Sequence, residues 1–248
     1  MRKAIVLNPF IQRTMTFKSN QPIYPPTRYF YTFYGGIFFL YTILFVQTCK
    51  SPQTVDLAAG ELDVKINIVD TQGPIPYSKA FASIQFLSNG RVVQLGGNSS
   101  VMCNNVRLSS AQLFYSDWIP TATAGGTYTF RHTRNQVATE VIVPVQPRPV
   151  ITSPAEGASI SRSTNIGISY TPGGGTGVRG SVSNRNASIG GSLQGDNGSY
   201  TGLDASSLPA GPGKLSLTRE FKLTLPAGGF KSVEVTYSSG TDVKVNWN

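Results

Sequence analysis

The chain has 248 residues and a formal charge of +9, with 2 Cys, 1 His, 26 Gly and 16 Pro, and only 13% of its residues are charged. Two cysteines and one histidine exclude a multi-disulfide scaffold and a four-ligand Cys/His zinc site, and a 40% hydrophobic share excludes wholesale disorder. Much of the positive charge belongs to the N-terminus, since residues 1–50 hold Arg2, Lys3, Arg13, Lys18, Arg28 and Lys50 and no acid. Residues 51–248 are close to balanced and show no Lys/Arg cluster, which argues against a nucleic-acid partner.

Residues 1–28 read as a basic cytoplasmic or signal n-region, and 29–49 as a hydrophobic signal or anchor segment. No residue between Arg28 and Lys50 is charged, and the centre runs from Gly36 through Ile37, Phe38, Phe39 and Leu40 to Val46. As a helix rising ~1.5 Å per residue, 29–49 reaches about 31 Å, the thickness of a bilayer core. The shorter apolar centre equally suits a signal-peptide h-region. Basic residues ahead of it are those the positive-inside rule keeps in the cytoplasm. Either reading makes the membrane a partner and puts residues 51–248 on the extracytoplasmic face of the cell membrane, or makes them secreted. Translation from Met15 would give a shorter leader.

The tetrapeptide Val46-Gln47-Thr48-Cys49 resembles a bacterial lipoprotein lipobox. That resemblance implies lipidation of Cys49, and two acyl signals give the stable anchoring that one chain does not. Thr48 stands where that family prefers Gly, Ala or Ser, so an uncleaved tether or simple secretion stays open. Cys103 reads as a lone buried thiol, with a Cys49–Cys103 disulfide the alternative in an oxidising compartment.

Residues 50–60 form a linker. Beyond it, Leu62, Val64, Ile66 and Ile68 alternate with Asp63, Lys65, Asn67 and Val69, which predicts a strand with one buried face. Similar runs follow at 80–87, 91–95, 100–108, 112–119, 127–132 and 137–145. Turn signals such as Ser88-Asn89-Gly90 and Thr133-Arg134-Asn135 separate them. About seven strands at this spacing predict an immunoglobulin-like sandwich over 61–146. Three prolines, at 144, 147 and 149, mark a stiff connector, and 147–248 is predicted to form a second sandwich. Its opening, from Pro149 through Ser153-Pro154 to Gly157, and the Leu208-Pro-Ala-Gly211 turn resemble bacterial extracytoplasmic Ig-like surface modules. The fold class is therefore all-β: two tandem immunoglobulin-like β-sandwich domains after the N-terminal signal or transmembrane helix. Each half is expected to fold alone. The glycines of the second half predict a long mobile loop over 171–200.

No motif past residue 50 assembles chemistry. Gly175-Thr-Gly177-Val-Arg-Gly180 matches a dinucleotide fingerprint, but the residues after it do not form the helix whose N-terminus would meet pyrophosphate. Ala210-Gly-Pro-Gly-Lys214 lacks the first glycine of a phosphate loop. His132, beside Arg131 and Arg134, reads as a strand histidine. Asp196-Asn-Gly-Ser199 offers oxygens of the kind that ligate Ca²⁺, but its length and composition read as an Asx-type turn. No catalytic residue, metal site or cofactor is expected. Among the aromatics, Tyr115 and Trp118 are candidate ligand contacts, since exposed rings stack on pyranose faces; the competing reading places one Trp in each sandwich core. The predicted function is a non-enzymatic, membrane-tethered or secreted extracytoplasmic protein with an adhesion, envelope-structural or protein-binding role. The alternative is a carbohydrate or cell-wall-polymer binding module, and a small hydrolase stands behind both. A surface protein or a glycan is the partner these readings imply.

Overall fold

The computed structural model describes residues 53–55, 57–71, 79–96, 98–111, 113–163 and 165–248. The segment 29–49 and Cys49 lie outside the described residues. Among those described are eighteen strands, one 3-10 turn and no α-helix. The first ten strands are β1 (Gln53–Val55), β2 (Asp63–Thr71), β3 (Lys79–Ser88), β4 (Arg91–Leu95), β5 (Ser100–Cys103), β6 (Val106–Arg107), β7 (Ser109–Ala111), β8 (Phe114–Pro120), β9 (Thr127–Arg134) and β10 (Val137–Pro144). The remaining eight are β11 (Ile151–Ser153), β12 (Ser159–Ile160), β13 (Ile166–Tyr170), β14 (Gly177–Asn184), β15 (Ser188–Gln194), β16 (Ser199–Leu203), β17 (Gly211–Thr224) and β18 (Ser232–Trp247). Alternating apolar residues set the strands, and two-residue turns with both φ positive close the hairpins at Asn89-Gly90 and Asn135-Gln136. That handedness matches the twist of the strands it joins.

One large sheet runs in the order β1-β4-β3-β2-β18-β17-β14-β15, with β8 beside β3, β7 beside β8 and β12 beside β18. Two smaller sheets, β10-β9-β5-β6 and β11-β13-β16, complete the fold. Their buried side chains join those of the large sheet in two separate cores. The first combines Val64, Ile66 and Ile68 of β2 with Val101, Phe130 and Val143 of the small sheet. The second combines Ile168, Tyr170 and Tyr200 with Val178, Leu217 and Trp247. In this second sandwich β11-β13-β16 oppose β18-β17-β14-β15, which is the immunoglobulin arrangement of strands A, B and E against G, F, C and its neighbour.

The connector at 144–149 does not divide the two cores. β17 and β18 pair over fourteen consecutive positions, from Gly211–Trp247 to Thr224–Glu234. The end of this hairpin nearest its turn enters the first sandwich, where β18 pairs in parallel with β2 from Ser232–Asp63 to Gly240–Thr71. Phe221, Phe230, Val233, Val235 and Tyr237 thus belong to the first core, while Leu215, Leu217, Val245 and Trp247 belong to the second. Residues 61–146 do not complete their own core.

Between the cores the hairpin turns polar. Counting by twos from Leu215 through Leu217 puts Arg219 on the buried face, and from Ile66 through Ile68 puts Asp70 there. Both are 1% exposed. Asp70 accepts from Tyr237 Oη at 2.9 Å and Tyr128 Oη at 3.4 Å, and its Oδ1 lies 2.5 Å from Arg148 Nη2. Arg219 donates to the carbonyls of Pro147 (3.2 Å) and Thr171. Its Nε lies 2.9 Å from Asp196 Oδ2 as an ion-pair contact, not a directed hydrogen bond. The proline connector is held from both sides, since Ser239 Oγ also donates to the Pro147 carbonyl.

The expected loop over 171–200 is mostly strand: β14, β15 and the start of β16 take up 177–184, 188–194 and 199–200. Its glycines serve close packing. A Cβ at Gly180 would lie 2.7 Å from the Tyr200 ring, and one at Gly175 would lie 2.5 Å from Arg219 Cγ.

Candidate functional site

Strand β8 presents a different aromatic on each of its faces. Its neighbour β3 lies alongside in antiparallel register, with Ile84 opposite Tyr115 and Phe81 opposite Trp118. Residues three apart on a strand face opposite ways, so the structure does not bring Tyr115 and Trp118 together. Ile119 is fully buried, which fixes the side of Tyr115 as the inner one and that of Trp118 as the outer one.

The outer face is built row by row. Trp118 is 49% exposed. Phe81 braces it edge-on, with centroids 5.4 Å apart and planes at 64°, and Val69 continues the row on β2. The next row holds Ser116, Ser83, Asn67 and Thr236 in register across β8, β3, β2 and β18. These side chains are half-buried. A third row ends in the Lys65–Glu234 ion pair at 3.7 Å. A large ring thus stands beside a shelf of neutral hydrogen-bonding groups, flanked by the exposed Lys79, opposite Pro120, and Lys222, opposite Thr236. Trp247, by contrast, is 2% exposed and donates from Nε1 to the Ser183 carbonyl at 3.0 Å. The reading of one core tryptophan per sandwich therefore holds for Trp247 and fails for Trp118; Tyr128, Phe86, Phe130 and Tyr237 fill the first core instead.

On the inner side, the two sheets of the first sandwich part at their edge and leave a cleft of about 570 Å³. Tyr115 forms one wall, packed edge-on against Phe86 at 5.8 Å, and its hydroxyl accepts from the Leu95 N–H at 3.1 Å. Around it stand Ser99, Ser100, Arg107, Ser109 and Ser110. Sequence reasoning missed these residues. Serine is common on any such surface, and only the fold of β4 through β8 gathers residues from 94 to 115 around one opening.

The remaining sequence candidates are structural. His132 is 3% exposed in the first core, against Phe86 and Phe230 at 5.4 and 6.1 Å. Burial, then the Arg134 charge, lowers its pKa, and it reaches no solvent-facing substrate. Cys103 is free and fully buried, and burial pushes its thiol up to about 12, which makes it a poor nucleophile. Gly173 and Gly175 donate their N–H groups to Asp196 Oδ2 at 3.1 and 2.8 Å. Burial works to raise the Asp196 pKa, but these donors and the Arg219 charge outweigh it and leave it below the ordinary value. The glycine fingerprint at 175–180 leads into β14, not a helix, and the Gly175 N–H is already bound to Asp196. Asp196 anchors Arg219 between the two cores, where the sequence suggested a simple turn.

No family model matches the chain, and no curated protein matches it. Among solved structures, it is similar to the fibronectin(III)-like modules of Clostridium thermocellum CbhA, at 14% identity over 77% of this chain and 89% of that one, with a TM-score of 0.25. It is also similar to the Bacteroides ovatus mixed-linkage glucan utilization locus SGBP-B in complex with a mixed-linkage heptasaccharide, at 15% identity over 81% of this chain and 47% of that one, with a TM-score of 0.24. A third is the Yersinia pseudotuberculosis adhesin InvE, at 12% identity over 76% of this chain and 59% of that one, with a TM-score of 0.23. At these scores the likenesses carry no functional argument, and the sandwich assignment rests on the strand order itself.

Proposed function

We propose that the chain is a non-enzymatic recognition protein of the extracytoplasmic face, tethered through its N-terminal segment, that binds surface glycan. The observation that carries this reading is Trp118, held half-exposed by Phe81 beside the neutral shelf of Ser116, Ser83, Asn67 and Thr236. Aromatic faces pack on the C–H faces of sugars, and side-chain hydroxyls and amides pair with their hydroxyls. The sheet is rigid, so the surface is pre-organised and little ordering entropy opposes binding. Binding of the full chain to a glycan array tests the reading. Trp118→Ala should abolish the signal and leave the far-UV spectrum and melting temperature unchanged. Array binding that survives the substitution would refute the assignment of this face. Membrane fractionation, with residues beyond 50 open to external protease, tests the tether; recovery of full-length protein in the cytosolic supernatant would refute it.

A further inference from the structure

The outer face of the large sheet carries positive charge around Trp118 that the protein does not neutralise. Among the described residues every carboxylate on that face has a basic partner: Asp63 with Lys231 (3.5 Å), Glu234 with Lys65 (3.7 Å), Glu220 with Arg179 (4.0 Å) and Asp242 with Lys214 (2.9 Å). Asp117, next to Trp118 in the chain, shares the inner side of β8 with Tyr115 and Ile119. Lys79 and Lys222 form no ion pair among the described residues, and both are exposed. The strand register puts both on the face of Trp118. Lys79 shares its side of β3 with Phe81 and Ser83. Because it stands opposite Pro120, it is the diagonal neighbour of Trp118, at a spacing of about 7–8 Å that a long side chain spans. Lys222 stands opposite Thr236 and so ends, on β17, the row of Ser116, Ser83, Asn67 and Thr236. Three strand spacings of ~4.8 Å and four residues of ~3.3 Å put the two lysines roughly 20 Å apart on the diagonal.

An aromatic ring, a row of hydroxyl and amide groups, and an uncompensated cation on either side suit an extended ligand that is rich in hydroxyls and repeats a negative charge. We infer that this face takes a stretch of acidic polysaccharide built of uronic-acid units and discriminates against neutral glycan. The inference rests on the reading of this same face as a glycan site and adds the charge of its ligand. One sugar unit stacks on Trp118 with its carboxylate toward Lys79. Ser83, Asn67 and Thr236 meet the hydroxyls of the units that follow, and Lys222 meets a later carboxylate. Exposed ammonium groups contribute modestly and are screened by salt. Trp118 therefore supplies most of the affinity, and the lysines choose among glycans.

Titration calorimetry of the full chain with hexagalacturonate, and with cellohexaose as the neutral counterpart, tests it. Hexagalacturonate should bind more tightly than cellohexaose, and added sodium chloride should narrow the difference. Lys79→Gln should weaken hexagalacturonate by about fivefold, near the upper worth of an exposed charge pair, and leave cellohexaose unchanged. Lys79→Arg should keep most of the affinity, and Lys222→Gln should weaken it less than Lys79→Gln. Lys244→Gln, which removes the same charge from the second sandwich, should have no effect. Trp118→Ala should abolish binding of both saccharides. Cellohexaose binding as tight as hexagalacturonate, with both lost on Trp118→Ala, overturns the acidic selectivity and leaves the wider glycan reading standing. Equal losses from Lys79→Gln and Lys244→Gln would mark attraction by net charge alone and overturn the inference. Hexagalacturonate binding that survives Trp118→Ala, or failure of both saccharides, counts against both readings.

Discussion

Two buried ionisable side chains set the most testable properties of the molecule. Arg219 is fixed by Asp196, by two carbonyls and by the Tyr170 ring 5.9 Å from its guanidinium carbon. Arg219→Leu strands the Asp196 carboxylate in a dry site, and urea unfolding should show a loss of about 3–5 kcal/mol. Replacing both partners with apolar residues should cost less than the single change, because no unpaired charge remains. His132 gives a dependence on pH. Burial, followed by the Arg134 charge, lowers its folded pKa below the ordinary 6.5. Below that pH the unfolded chain takes up a proton that the folded protein refuses, so stability is full above about 6.5 and declines as pH falls beneath it. Thermal melts near pH 7.5 and 5.5 should show the decline, and His132→Leu should reduce it. Part of this was legible in the sequence. The even-numbered register of β2 and the odd-numbered register of β17 place Asp70 and Arg219 on core faces, and a charge there implies a buried partner. The partners Arg148 and Asp196 were not legible, because 78 and 23 residues separate them from Asp70 and Arg219.

Among the elements, the strands of the first half follow their alternation closely, and the hairpin turns follow their Asn and Gly residues. In the second half β13, β14, β17 and β18 follow apolar runs legible at 165–170, 177–183, 214–225, 230–237 and 242–247, whereas β15 and β16 are hidden because glycine weakens the apolar pattern that marks a strand. There glycine makes room for large neighbours. Gly213 of β17 lies under the Trp247 indole, and a Cβ would also come within 2.6 Å of the Ser183 carbonyl that the indole N–H binds. Gly213→Ala should therefore displace Trp247 and destabilise the fold by about 1–3 kcal/mol, the usual range for overpacking. A red shift of tryptophan emission before unfolding is the measurement that checks it. On β8, period-2 alternation correctly separates the faces of Tyr115 and Trp118. It does not reveal which face is the core one, since that depends on β3 and on the small sheet opposite.

For the whole molecule, the decisive feature is the shared hairpin. The sequence reads as two halves with a proline boundary, and the chain does cross between sandwiches there. It crosses back within β17 and again within β18, and no compositional break marks either return. The fragment 58–146 lacks Phe221, Phe230, Val233, Val235 and Tyr237 of its core. At about 1.5–3 kcal/mol for each large side chain buried, their loss rivals the whole net stability of a domain, about 5–15 kcal/mol. That fragment should show no cooperative urea transition, whereas 57–248 should unfold in one. A sharp transition from 58–146 alone would show that the hairpin is dispensable to the first core.

The parallel pairing of β2 with β18 also decides how the protein meets mechanical load. A molecule tethered at one terminus and gripped near the other is pulled along these two strands in opposite directions. Nine residue pairs join them, from Ser232–Asp63 to Gly240–Thr71. Because the strands run the same way, tension slides one past the other and loads the whole ladder at once; it does not open the pairs in turn. The same strand continues into the second sandwich, so the ladder that takes the load is built on a strand that both cores share. Forced extension is governed by the barrier to unfolding, not by net stability, and this topology places the barrier at the spine of the molecule.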